Sequence, residues 1–267
     1  MGTPVTNIKL GYGGGASIDG APVLLTGGSL NKALAVPKIE PFGTPNTGDS
    51  RMAVQTGYGT WAYSGSVSFD WTLSAVNDLI TSAFLVRNHE FDVVISDGNK
   101  IYTASDCKFS SVSISASAGA LVTGSVEFQT CADFTEAGSV TYLFDQDEHL
   151  LVKYWQSGNT GVESFNLTIS QNLSPVYLNW NSGSDDDRTR PQYLRAGLWD
   201  ITLEVTAFTG WLNHTQVNVG PKVINITQGA FESKGFSYGG VSETGAHNYT
   251  FKANALANSG ATFFSIT

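Results

Sequence analysis

Charged residues are scarce in this chain. They make up 14% of its 267 residues, against about 25% in an ordinary soluble domain. A chain that must stay soluble alone carries more mixed charge, so a surface this poor in it is expected to be covered by subunit contact. Basic residues are fewest, with 14 Lys and Arg scattered along the chain against 23 Asp and Glu, for a net charge of −9. The deficit is even, with 7 basic against 11 acidic residues over 1–135 and 7 against 12 over 136–267. Tight nucleic-acid binding needs several cations placed together to release counterions, and no such cluster exists here. Cysteine is nearly absent: Cys107 and Cys131 stand alone, which excludes a disulfide-stapled scaffold, and two reduced thiols in a cytoplasmic protein are expected. No run of 18 apolar residues and no N-terminal apolar h-region occurs. Neither a membrane span nor a classical export signal is expected.

Catalytic constellations are also missing. His89, His149, His214 and His247 lie in unlike contexts, none four residues from another and none beside a Gly-X-Ser-X-Gly elbow, so each reads as a surface residue. The glycines of GYGGG at 11–15 do not follow a strand and open a helix, which removes a phosphate-cradling reading. Asp185, Asp186 and Asp187 are hard-cation ligands by chemistry, but adjacent carboxylates rarely converge on one ion. No catalytic, cofactor-binding or metal residue is expected. Five Asn-X-Ser/Thr triplets begin at Asn166, Asn172, Asn213, Asn225 and Asn248. They read as accidents of a chain rich in Asn and Thr.

What is present is strand alternation, and it repeats. Residues 107–130, CKFSSVSISASAGALVTGSVEFQT, set Phe109, Val112, Ile114, Leu121, Val126 and Phe128 among Ser, Thr and Ala, the pattern of a hairpin buried on one face. If its turn lies at Ala116–Ala120, Cys107 and Cys131 fall nearly opposite each other. Phe231, Phe236, Tyr238, Tyr249 and Phe251 repeat the pattern about 120 residues later, and the turns match as Thr123-Gly124 and Thr244-Gly245. Upstream, the strand GSVSFDW at 65–71 has a counterpart in GLWDITL at 197–203, each preceded by a polar loop carrying Asp-Ser-Arg (49–51) or Asp-Asp-Arg (186–188). Two tandem β-domains, 1–135 and 136–267, are the leading reading, each large enough to bury a core. The alternative is a single β-sandwich whose amphipathic strands merely resemble one another.

One helix is expected, from Leu73 to Val86, with Leu73, Val76, Leu79, Ile80, Ala83 and Phe84 on one stripe and Thr72 or Ser74 as N-cap. Its counterpart at 206–215 is interrupted by Gly210 and reduced to a turn or two. The segment from Gly27 to Tyr63 reads as a long loop or hairpin extension, with Pro37, Pro41 and Pro45 beside apolar Leu34, Val36, Ile39, Phe42 and Met52 that something must cover.

In order, YSGSVSFDWT, LSAVNDLITSAFL, FDVVISDGNKIYTASDCKFSSVSISAS and GALVTGSVEFQT form a strand, a helix, an extended strand pair and a closing strand. This series resembles the tail tube fold of long-tailed bacteriophages and related injection machines, most specifically in LVTGSVEF. The resemblance covers the first half well and the second half weakly. It implies a mainly β chain of two sandwich or barrel domains, with one flanking helix in the first. Tube domains assemble their inner sheets edge to edge, often six around a channel. Three copies of a two-domain chain would therefore form a pseudo-hexameric ring, and the 27–63 segment would reach a neighbouring subunit or ring. The implied role is a virion structural protein, the major tail tube subunit, not an enzyme. Implied partners are further copies of the chain, the tape measure, tail-tip and terminator proteins, and DNA in transient passage, with assembly in the host cytoplasm and no membrane insertion. A channel lined by acidic and hydroxyl side chains would repel passing phosphates. Two alternatives stay open: a tail-tip hub ring of the same fold, and a secreted carbohydrate-binding sandwich using Trp155, Trp180 and Trp211 as stacking faces.

Overall fold

A computed structural model describes residues 15–35, 60–81, 89–98, 100–138, 155–157, 162–177, 190–208, 216–226, 230–237, 246–255 and 264–266. These form fifteen strands and one helix. In the first half they are β1 (Gly15–Ile18), β2 (Ala21–Ala35), β3 (Thr60–Asp70), α1 (Leu73–Leu79), β4 (Phe91–Ser96), β5 (Ile101–Ser117), β6 (Thr123–Thr130) and β7 (Thr135–Ala137). In the second they are β8 (Trp155–Ser157), β9 (Val162–Val176), β10 (Tyr193–Ala207), β11 (Gln216–Val219), β12 (Lys222–Ile226), β13 (Ala230–Ser237), β14 (Ala246–Ala255) and β15 (Phe264–Ile266). The chain is mostly β, as expected.

All the pairings are antiparallel. In the first half the path β5-β4-β1-β2-β3-β6 returns to β5, which closes a six-stranded barrel. The β1–β2 hairpin turns on Asp19 and Gly20, at φ 51° and 77°, the two positive angles that match a tight turn to the twist of its strands. Beyond the barrel, the C-terminal part of β5 also pairs with β9, and the same sheet runs on through β10 and β14 to end at β13. A second sheet orders β15-β12-β11-β8.

The second half repeats six of the seven pairings of the first; among the described strands, β1–β2 has no counterpart. β1–β4, β2–β3, β3–β6, β4–β5, β5–β6 and β5–β7 have as counterparts β8–β11, β9–β10, β10–β14, β11–β12, β13–β14 and β12–β15, with β12 and β13 together standing where β5 runs as one strand. Two of the irregularities recur with the pairings. The bulge between Phe109 and Ser111 against β6 returns between Phe231 and Ser233 against β14, and the bulge of β2 between Leu25 and Gly27 returns in β9 between Val162 and Ser164. A bulge shifts which face every later side chain takes, so shared bulges fix the alignment of the halves residue by residue.

Alternation sets the core. Tyr63, Val67 and Phe69 of β3, Phe109, Val112 and Ile114 of β5, and Val126 and Phe128 of β6 are buried, as are Phe165, Leu167 and Ile169 of β9 and Ile201, Leu203 and Val205 of β10. With the exception of Tyr63, they belong to one contiguous cluster. At roughly 1.5–3 kcal/mol per buried large side chain, this cluster is the main stabilising contribution. Trp71 and Trp199 belong to it as well, Trp71 edge-on to Phe69 with ring centres 4.9 Å apart.

Several expectations are corrected. The helix stops at Leu79, its Thr72 Oγ1 accepting from Ala75 N at 3.1 Å, so Thr72 and not Ser74 is the cap. Val76, Leu79 and Ile80 are buried together with Ala75, while Leu73 faces outward; Ala83 and Phe84 lie outside the described residues. Thr123-Gly124, read as preceding the return strand, lies within β6, while the turn at 118–122 overlaps the expected 116–120. Gly124 is small for a different reason, since a Cβ there would lie 2.4 Å from Trp71 Nε1. The expected 27–63 loop is strand at both ends, β2 running to Ala35 and β3 starting at Thr60 in register with it; Val36, Ile39, Phe42, Met52 and the three prolines lie outside the described residues. Phe236 is not buried. The 244–245 turn, Tyr238 and both Asp-Arg loops are outside the described residues.

Candidate functional site

The face of the long sheet turned away from the core is almost entirely hydroxyl and amide. Ladder register aligns it in rows from β3 to β14. Ser68, Ser125, Ser113, Thr168 and Thr202 form one row; Asp70, Thr123, Ser115, Asn166, Glu204 and Thr250 form the next; Ser66, Glu127, Ser111, Ser170 and Asp200 form a third. Side chains bond across the strands. Ser29 and Ser66 hydroxyls are 2.8 Å apart, Ser113 and Ser125 hydroxyls 2.7 Å, and Thr206 Oγ1 donates to Asn248 Oδ1 at 2.9 Å. Asn166 sits at the centre of this ladder. Its Oδ1 accepts from Ser115 Oγ at 2.7 Å while its amide nitrogen donates to Glu204 Oε2 at 3.2 Å. Such pairs hold short side chains flat against the sheet.

Charge on these rows is of one sign where side chains are described: Asp70, Glu127, Asp200 and Glu204. Register sets Lys252 opposite Thr202. One row beyond Ser66, Lys108 lies 3.2 Å from Glu90 and donates to the Leu194 carbonyl at 3.5 Å. A groove of about 480 Å³ at the β13 end is lined by Asn166, Glu204, Thr206, Lys234 and Asn248 among others. It is polar and shallow, with hydroxyls and carboxylates spread along strands and no nucleophile–base pair among its lining side chains. The arrangement offers a wide, wettable, weakly acidic surface.

Other singled-out residues do not gather at one point. His89 Nε2 meets Asp19 Oδ2 at 2.7 Å beside the β1–β2 turn, and His247 lies on β14 against the Phe236 ring, 4.9 Å between centres. His149, His214, Asp185–Asp187, Trp180, Trp211 and the Trp155 side chain fall outside the described residues. Among the described residues, no three His, Cys, Asp or Glu side chains are placed to share a metal, and no helix is long and apolar enough to cross a membrane. Asn166 and Asn172 are in β9, Asn225 in β12 and Asn248 in β14; Asn213 is outside the described residues. Cys107 and Cys131 are free thiols. Lys108 opposite Gln129 sets Cys107 one step further along, level with Thr130 and not Cys131. Burial pushes the Cys107 thiol well above its ordinary range, with nearby Asp92 adding to it, and burial raises Cys131 too.

Residues 44–219, which is 176 of 267, match the model of a family described as phage tail tube protein. The chain belongs to the phage tail tube protein family. The match runs from ahead of β3 through β11 and so takes in most of the barrel and the β5–β9 junction. No curated protein matches the chain. Family membership makes it a structural component of the virion tail that works by oligomerising and by assembly with other tail proteins.

Sequence reasoning missed the location of the polar face. Its period-2 signal was visible in runs such as Ser111, Ser113 and Ser115, but which strands lie side by side depends on pairing. It also missed Asn166 as a ladder residue, having read it only as part of a glycosylation triplet.

Proposed function

We propose that this chain is the repeating subunit of the tail tube and that it consists of two tandem tube domains, 1–135 and 136–267. Three copies form a ring of six domains around a channel, rings stack, and DNA passes through. The observation that carries this reading is the recurrence of six strand pairings and of the β2 and β5–β6 bulges in the second half. Two units with one pairing scheme in one chain give pseudo-sixfold symmetry to three chains. In this reading the polar sheet face lines the channel. Its carboxylates repel phosphates at short range, and its hydroxyls stay hydrated without binding the DNA that slides past. Tape measure, tail-tip and terminator proteins are the partners at the tube's interior and ends, and assembly takes place in the host cytoplasm.

Electron microscopy of the purified protein at high concentration tests the reading. Tubes with a central hole and three- or sixfold averages are expected. Isolated rings that never stack would instead support a tail-tip ring of the same fold, and persistent monomers by light scattering would overturn both.

A further inference from the structure

Gln171 of β9 stands between two interruptions of the long sheet. On one side β9 pairs with β5 only from Ser111 onward, beyond the β5 bulge between Phe109 and Ser111. On the other side its register with β10 shifts between Ala196 and Trp199, so Gly197 and Leu198 have no partner of their own on β9. Gln171 lies directly opposite Trp199 and faces the core, 6% exposed, between buried Ile169 and Leu173. Its amide nitrogen donates to the Phe109 carbonyl at 2.7 Å, where the ladder to β9 has ended. That bond fixes the orientation of the amide, because the reverse would set two oxygens together. Gln171 Oε1 is then left over. Among the described residues neither it nor Trp199 Nε1 has a hydrogen-bond partner, and both atoms are buried. One can only accept and the other can only donate. The Phe109 and Trp199 rings lie beside them, 1% and 3% exposed with centres 5.0 Å apart, and in such apolar surroundings an unpaired polar atom is most costly.

The first half shows the same place without a buried polar pair. Gly65 and Leu203 each face the phenylalanine of the next strand, Phe128 or Phe251, which makes Trp61 the counterpart of Trp199 and Leu34 the counterpart of Gln171. Leu34 stands opposite Trp61 just as Gln171 stands opposite Trp199. Leu34 has no polar side-chain atom to satisfy, and Trp61 is only half-buried. Of these two opposed pairs, the one sealed in the core is the one that carries the glutamine.

We propose that Gln171 and Trp199 hold one internal water molecule at the junction between the halves. The water accepts from the indole N–H of Trp199 and donates to Gln171 Oε1. Directly opposed residues have Cβ atoms about 4.5–5.5 Å apart, and a water with hydrogen bonds of about 2.7–3.2 Å on each side bridges groups held at such a spacing. An internal water usually takes about three partners. The extra residue of the β10 bulge is left unpaired in the ladder and supplies the third. The bonds then run from the Phe109 carbonyl through Gln171 and the water to Trp199. They tie β5 of the first half to β9 and β10 of the second where the backbone ladder is interrupted on both sides. The site lies within a single chain and stands apart from the tube reading.

The test is a crystal structure of the full chain at a resolution that shows ordered water. A peak within hydrogen-bond distance of both Trp199 Nε1 and Gln171 Oε1 is expected. A direct contact between the two atoms, or a gap with no peak in it, would overturn the site. NMR of the unaltered chain supplies a second reading. The Trp199 indole proton, assigned by its loss in Trp199→Phe, should show a cross-peak to a long-lived bound water. Gln171→Leu, which puts here the residue that β2 carries at its counterpart, should abolish that cross-peak while the contacts between the Trp199 and Phe109 rings stay in place. A cross-peak that survives Gln171→Leu would mean that Trp199 binds water without Gln171, and the bridge would be lost. If Gln171→Leu does not fold, Gln171→Met keeps the length of the side chain without its oxygen, and the same disappearance is expected.

Discussion

The two halves share one pairing scheme and differ in what fills it. In the first half β3 and β6 pack large rings, and the backbone makes room for them. A Cβ on Gly65 would lie 2.4 Å from Phe128 Cζ, and one on Gly124 would lie 2.4 Å from Trp71 Nε1. In the second half Leu203 stands where Gly65 stands and Ala207 where Phe69 stands. At these two positions a glycine and a ring have been exchanged for a leucine and an alanine, while Phe128 keeps a phenylalanine, Phe251, at its counterpart, and a core tolerates such changes when the strands keep their places. Six pairings and two bulges are thus shared by the halves, and side-chain packing differs between them. The same contrast holds at the edges, where β5 is covered by β9 while its counterpart β13 lies exposed.

The sharpest way to break this comparison is to place the same charge at both counterpart positions. Ile114→Asp buries an unpaired carboxylate in the core and is expected to cost more than about 4 kcal/mol, enough to prevent folding. Phe236→Asp, on the exposed edge, should change the stability of the single chain by less than about 0.5 kcal/mol and yet abolish rings and tubes. Urea midpoints for the monomers and sedimentation for assembly separate the two outcomes. If Phe236→Asp assembles normally, the edges are not equivalent.

The first half's dependence on glycine is tested by Gly124→Ala. The new methyl must displace the Trp71 indole, a stiff buried ring, so overpacking of about 1–3 kcal/mol is expected. Gly235→Ala, on the second half's counterpart of β5, meets only Asn248 O at 3.9 Å. It should be nearly neutral, and equal losses at both sites would remove the distinction.

How much of this was legible beforehand divides along the same line. Alternation in SVSISAS and GSVEFQT identified β5 and β6 because buried and exposed residues there differ so plainly in polarity. The repeat was legible in recurring strand alternation, GSVSFDW at 65–71 and GLWDITL at 197–203 among it, which lie on β3, with Trp71 just past its end, and on β10. The ends of β2 and β3 were hidden, since Gly27, Gly28, Ala33 and Ala35 give no alternation and mark a strand only through its partner. Gly124 was read as a turn residue because spacing cannot distinguish a glycine needed for backbone angle from one needed for space. The members of the polar face were not legible, because a face is assembled from strands distant in sequence.

A smaller effect distinguishes the halves through pH. The Cys107 thiol is buried and donates to the Ala104 carbonyl at 3.3 Å, and burial raises its pKa above the ordinary 9.0. The unfolded thiol therefore ionises first. Its contribution to stability is full below about pH 9 and is lost as pH rises toward the folded value. The urea midpoint of the unaltered chain should fall between pH 8.5 and 10.5 (roughly the range bracketing the unfolded thiol's ionisation) more steeply than that of Cys107→Ala. Parallel slopes would show that the thiol does not sense its burial.

The smallest expected effect concerns the ladder on the polar face. Asn166 joins β9 to Ser115 of β5 and to Glu204 of β10, and its counterpart on β2 is Ser29, bonded to Ser66 alone among the described side chains. Half-exposed hydrogen bonds contribute about 0.5–1.5 kcal/mol net. A double-mutant cycle of Ser115→Ala with Asn166→Ala should therefore give a coupling within that range, because both groups touch across the internal junction. Ser29→Ala should leave the single chain within about 0.5 kcal/mol of the unaltered protein, because its second neighbour would come from another copy. The same substitution in assembled rings should then weaken them measurably, raising the concentration at which tubes form. A coupling of zero at Ser115 and Asn166 would mean that the junction is held by its backbone ladder and apolar side alone, and would predict no effect of Ser29 on assembly.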